Sequence, residues 1–298
     1  MNWFLLALLA AVFTSLTSIF AKIGLKSVNS NFATAYKTVI VIFFSIIICL
    51  IRGSFAFISQ LNIYNYLFLF LSGIATGLSW IFYYKALKIG DVNKVASIDK
   101  CSFILTSILF LIFFFDDTTR GGNALTIIML ILSMILMGLG TILMITKKKS
   151  EEVENKKYLV FAVFSAIFAS LVSLFVKIGL KNIESDLGTL FRTIVVFIFA
   201  STIVLIKKDY KEISKIDRNG WIFLTISGVA TGAAWLLEYE ALNIPNVNPV
   251  AVNSIIKLSI ILTIMFSLIF LKEKISKKNI LGLILLTAGV LLISIFSL

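Results

Sequence analysis

Two stretches of this chain decide its fold. SIFAKIGLKSVNSNFATAYKTVIVIFFS (18–45) and SLFVKIGLKNIESDLGTLFRTIVVFIFA (173–200) match without gaps at a shift of 155, with 12 of 28 positions identical. At the same shift SGIATGLSWIFYYKALKIGDVNKVA (72–96) meets SGVATGAAWLLEYEALNIPNVNPVA (227–251), identical at 14 of 25 positions. Two apolar segments share some Leu and Ile by chance. They do not share Gly73/Gly228, Trp80/Trp235 and Tyr84/Tyr239 in register, so the chain is an internal duplication.

What is duplicated is apolar. Of 298 residues, 59% are hydrophobic and 14% charged, and the mean hydropathy is +1.04. Soluble domains sit near ~45–50% and ~25%. An ordinary soluble enzyme, a disordered chain and a disulfide scaffold are excluded. Ten apolar runs stand near 2–20, 33–51, 63–85, 95–115, 123–146, 157–177, 187–206, 220–241, 250–271 and 279–298. Runs this long are membrane helices, which need ~20 residues, rather than barrel strands of ~10 alternating ones. The expected fold is an all-α membrane protein with ten transmembrane helices in two five-helix repeats, 1–146 and 158–298, joined by the hydrophilic linker 147–157. Five is odd, so the second copy enters from the opposite side. Inverted repeats of this kind belong to transporters, with the binding site where the repeats meet near the midplane.

The chemistry is narrowed by what is missing. There is no histidine. Cys49 and Cys101 lie in apolar runs without metal-ligand spacing, and no phosphate-binding GxxxxGK[ST] is present. The reading is therefore not an enzyme, with no cofactor and no metal. The net charge of +12 comes from dispersed loop lysines, so no nucleic-acid partner is expected. The odd-numbered loops and linker hold 19 Lys and Arg and the even loops 4. The positive-inside rule puts the odd loops in the cytoplasm and both termini outside.

The repeated residues resemble the drug/metabolite transporter superfamily, and within it the EamA type. Lys37 and Arg192 match the basic residue of the second helix, and SWIFYYKAL (79–87) and AWLLEYEAL (234–242) match the third-helix stretch. Glu273 and Asp116 or Asp117 keep the acidic end of the fourth helix. The resemblance implies a ten-helix transporter with its usual termini inside, opposite to the basic-residue count. It also implies a small-molecule metabolite as substrate and export as direction. The resemblance implies a proline inside each fourth helix, as in many members of that family. Here those stretches read ASIDKCSFI (96–104) and AVNSIIKLS (251–259), so charge is expected in place of a kink.

The third run of each half carries one stripe, Gly73–Gly77–Trp80–Tyr84 and Gly228–Gly232–Trp235–Tyr239. The glycines read as a close-packing surface, and the tryptophans as a cavity wall. Charges inside spans are expensive, at least ~2.5–3.5 kcal/mol each. Lys37, Lys100, Arg192 and Lys257 are candidate substrate-binding bases with Trp80, Tyr84, Trp235 and Tyr239. For Lys37, Lys100 and Asp99 snorkelling to an interface is the alternative, and Glu240 is expected to snorkel. Asp99 and Glu238 break the repeat symmetry, facing Ser254 and Tyr83 in the alignment. They are candidates for proton coupling or for pairing with the bases. The bases outnumber the acids, which favours an anionic or zwitterionic metabolite. KIGLK at 22–26 and 177–181 reads as a lysine-capped helix end. The partners expected are a small metabolite, the bilayer and the proton as coupling ion, in a cell-membrane protein that is a monomer or homodimer. A lipid flippase or scramblase is the first rival reading, and a membrane-embedded enzyme the second.

Overall fold

The computed structural model describes residues 3–115, 123–145, 157–180, 183–242, 244, 252, 255–272 and 275–297. Among them the structure is helical without strands. In the first repeat, α1 spans Trp3–Gly24, α2 Ser30–Arg52, α3 Ile63–Ile89, α4 Val92–Lys100, α5 Ser102–Phe113 and α6 Ala124–Ile145. In the second, α7 spans Lys157–Gly179, α8 Ser185–Lys207, α9 Arg218–Leu242, α10 Ser259–Phe266 and α11 Lys277–Ser297. Eight of the described spans are long and apolar enough to cross a membrane, α4 and α5 counting as one, and Ile255–Leu271 is a shorter apolar stretch.

Helix boundaries follow local chemistry that the repeats share. The Asn29 side chain caps α2 by accepting from the Asn31 N–H at 2.9 Å. Asn62 caps α3 through Asn65 N–H at 3.0 Å, and its equivalent Asp217 caps α9 through Gly220 N–H at 2.8 Å. Gly53 ends α2 at φ +70, the left-handed turn that suits glycine. The equivalent Lys208 ends α8 at φ +59 without that freedom.

In lipid the large side chains need not turn inward. On α1, Phe4, Leu5, Leu8 and Leu9 are exposed while Ala7, Ala10, Ala11 and Ala21 are buried. Small residues inside let the backbones approach. The repeats interlock rather than sit side by side. Helix α3 packs along α7 and α1 along α9, while α2 meets α8 and α6 meets α11. Tyr83 bonds Ser18 at 2.9 Å and Lys22 bonds the Gly90 carbonyl at 2.6 Å, so α1 and α3 run the same way. Asn65 bonds the Gly179 carbonyl at 2.8 Å while Gly90 abuts Tyr158, so α3 and α7 run oppositely.

Two details depart from the sequence reading. Lys22 reaches a second helix: its Nζ donates to the carbonyls of Leu87 and Gly90 at the end of α3, where orphan acceptors lie within reach. The fourth helix is broken despite its lack of proline. Cys101 N–H turns back to the Ile98 carbonyl at 3.0 Å, separating α4 from α5, and Leu258 N–H does the same to Ile255 at 3.0 Å. Thr141 Oγ1 of α6 donates to the Ser97 carbonyl at 3.3 Å, so a neighbouring helix satisfies the broken turn.

Candidate functional site

The third-helix glycines place the site. A Cβ on Gly73 would lie 2.6 Å from Val195, and one on Gly77 2.7 Å from Phe199, both on α8. Gly228 and Gly232 of α9 meet the equivalent α2 residues Ile40 and Phe44, with the nearest approaches at 2.9 and 2.6 Å. The glycines are thus packing positions, as the stripe predicts. Each presses the third helix of one repeat onto the second helix of the other. That contact brings the next residues of both stripes together, and Trp80 and Trp235 stand with ring centroids 5.7 Å apart.

Each tryptophan carries the base of its own repeat. Lys37 Nζ lies 4.8 Å from the Trp80 ring centroid, and the Arg192 guanidinium carbon 4.7 Å from that of Trp235. A desolvated cation over an indole face gains ~2 kcal/mol or more. Lys37 also donates to the Tyr84 hydroxyl at 2.6 Å, and that ring lies beside Trp80. Lys37 is 2% exposed and Arg192 6%, so neither snorkels. Among the described residues no carboxylate forms an ion pair with Lys37.

Below Trp235 a narrow cleft of about 10 Å³ remains, enough for one water molecule. Its walls are Val41, Phe44, Ser45, Ile48, Asp186, Thr189, Gly232 and Trp235. The other expected residues lie outside this group. Asp99 is half-buried on α4, within electrostatic range of Tyr83, whose ring adjoins Tyr84. Glu238 is half-buried on α9, and Lys257 is half-buried just before the Leu258 break. The side chains of Lys100 and Tyr239 lie outside the described residues, as do Asp116, Asp117, Glu273 and most of the linker.

Polar contacts that the sequence reading passed over stand at the helix ends. Arg52, counted only as a loop charge, contacts Asp186 at 3.4 Å and pairs with Glu240, so Glu240 has a protein partner where snorkelling is expected. Asp186, unremarked in the sequence, is 4% exposed. The shift of 155 could have found it, because it aligns Asp186 with Asn31.

Comparison with known proteins agrees with this architecture. The model of the EamA-like transporter family matches residues 1–139 and again 156–295. The chain belongs to the EamA-like transporter family. One relative, described as an uncharacterized transporter in the cobO 3' region of Sinorhizobium sp, is 39% identical over 136 residues. The match covers 46% of this chain and 95% of that protein, which is therefore about the size of one repeat. A solved chain described only as a crystal structure of a protein superposes with a TM-score of 0.65 at 12% identity. It covers 99% of this chain and 98% of its own, a likeness of fold alone. This EamA-like protein is thus a multi-pass membrane transporter, with a small-molecule substrate and lipid contact as the family suggests.

Proposed function

We propose that this EamA-like protein is a secondary active transporter that exports a small anionic or zwitterionic metabolite by alternating access. The site is the Lys37–Trp80–Trp235–Arg192 cluster at the seam of the repeats, near the membrane midplane. One observation carries the reading: two equivalent buried bases, one from each repeat, meet over facing indoles, and Lys37 has a phenol rather than a carboxylate beside it. A buried cation is costly. A substrate carboxylate or phosphate would supply Lys37 with the opposite charge. Lys37 and Arg192 are each the eighth residue of a 23-residue helix. Equivalent helices entering from opposite faces would present a donor in either access state.

The reading includes ten transmembrane helices in two inverted five-helix repeats. The parallel course of α1 and α3 and the antiparallel course of α3 and α7 support the inversion. The remaining bases, Lys100 and Lys257, are proposed to flank the path with Tyr84 and Tyr239. Asp99 and Glu238 are proposed as the proton-coupling carboxylates. The basic odd loops face the cytoplasm in this reading, and both termini face outward.

The test is a thermal-shift screen of the purified protein against metabolites of each charge class. A ligand at 100 times its Kd adds ~2.7 kcal/mol to stability. Stabilisation by anions or zwitterions, lost in the Lys37→Gln, Arg192→Gln double variant, is expected. Stabilisation by lipids or cations alone would overturn the reading.

A further inference from the structure

Polar contacts between the repeats stand at both ends of the α2–α8 pair. The shift of 155 aligns Asn31 with Asp186 and Ser54 with Asp209. On one face Ser54 Oγ donates to Asp186 at 3.2 Å. On the other, Asn31 Nδ2 donates to Asp209 at 2.7 Å and Asn29 Nδ2 to the same carboxylate at 3.1 Å. It is one contact made twice, between the start of a second helix and the turn that follows the other second helix. The carboxylate has moved from the helix on one face to the turn on the other.

The two closures are unequal. Asp209 takes hydrogen bonds from neutral amides and lies within electrostatic range of Lys85, which aligns with Glu240. Asp186 is buried and takes a cation, Arg52 at 3.4 Å, and Arg52 pairs in addition with Glu240 at the end of α9. Arg52 therefore ties α2, α8 and α9 together. It does so where those three helices form the walls of the cleft below Trp235. The α2–α9 seam itself is smooth there, with Gly228 against Ile40 and Gly232 against Phe44. Close packing on glycine joins the two helices along the seam, and the polar tie adds a charged contact at its end. Arg52, 25% exposed, is the last residue of α2, while Asp186 is buried.

We propose that Arg52 is a gate residue. Its contacts to Asp186 and Glu240 hold the cleft shut on the face that carries the 53–62 turn, and its release opens the cleft to that face. The transporter reading gives this gate its purpose. The test below reads access without substrate, so the gate can fail while transport stands, and the reverse.

The experiment uses the full chain in detergent with Cys49→Ala and Cys101→Ala, and a reporter Ser45→Cys in the cleft wall. The readout is its rate of reaction with a charged methanethiosulfonate. Arg52→Gln should raise that rate by about fivefold, the equilibrium shift for about 1 kcal/mol. Glu240→Gln should raise it less, and Arg52→Lys should fall between wild type and Arg52→Gln. A second reporter, Ser79→Cys, sits between α3 and α7 beside Ser165 and should not change. An unchanged Ser45→Cys rate in both Arg52→Gln and Glu240→Gln overturns the proposal, as does an equal rise at Ser79→Cys, which would mean general loosening. If Arg52→Gln does not fold, Glu240→Gln alone decides, since Glu240 is 40% exposed and tolerates replacement.

Discussion

Trp80 and Trp235, equivalent residues of the two repeats, face each other with ring centroids 5.7 Å apart and planes at 35°. Their contact exists because bare glycines one and two turns earlier let each third helix settle onto the opposite second helix. The bases over the two rings, Lys37 and Arg192, are thereby drawn to one seam from separate halves of the chain.

The glycines should be intolerant of any side chain. At Gly73 a Cβ would meet Val195 at 2.6 Å and the Arg192 carbonyl oxygen at 2.9 Å, and backbone cannot swing aside. Gly73→Ala should lower stability by ~1–3 kcal/mol, the scale of overpacking. Gly138→Ala, with its nearest neighbour at 3.9 Å, serves as the control and should be close to neutral. Thermal melts of the two variants measure the difference.

Lys208 should be improvable. It holds φ +59 where the first repeat has Gly53 at φ +70. A left-handed residue with a side chain costs ~1–2 kcal/mol, part of which glycine returns as extra freedom in the unfolded chain. Lys208→Gly should raise the melting temperature modestly, with transport unchanged.

The fold was largely legible because the repeat could be read twice. Trp80 and Trp235 stood out through their register, and so did Lys37 and Arg192. The fourth-helix break was not legible. A proline is its usual sign, and here a Thr141 hydroxyl from another helix makes the break tolerable. The Arg52–Asp186–Glu240 tie was hidden for a different reason. Its members come from three helix ends, and across the repeats Arg52, Asp186 and Glu240 align with Lys207, Asn31 and Lys85, so only the base is kept.

Proton coupling should run through Asp99 or Glu238. Both are half-buried, and neither has an acidic counterpart in the other repeat. Asp99→Asn and Glu238→Gln should each reduce flux driven by a pH gradient in proteoliposomes. Full pH dependence in the double variant would assign the coupling to other groups.

The basic face should be cytoplasmic. Lys22, Gly90 and Tyr158 already lie together at one end of the bundle, which gathers the ends of α1 and α3 and the start of α7. A single cysteine placed in the 147–157 linker should be shielded from an impermeant maleimide in intact cells, and one at residue 298 should react. The opposite pattern would show that the termini are inside.

The central claim is that Arg192 meets substrate and does not merely brace the protein. The most direct measurement is a pair of numbers on Arg192→Gln: affinity for an anionic ligand found in the screen, and melting temperature without ligand. The account predicts an affinity loss of about 1.5–3 kcal/mol, the scale of a hydrogen bond to a charged group, with the ligand-free melt nearly unchanged. A bracing residue in a buried ion pair would behave oppositely, since its removal strands a charge and costs ~3–5 kcal/mol of stability. A steep fall in melting temperature with affinity intact would contradict the account.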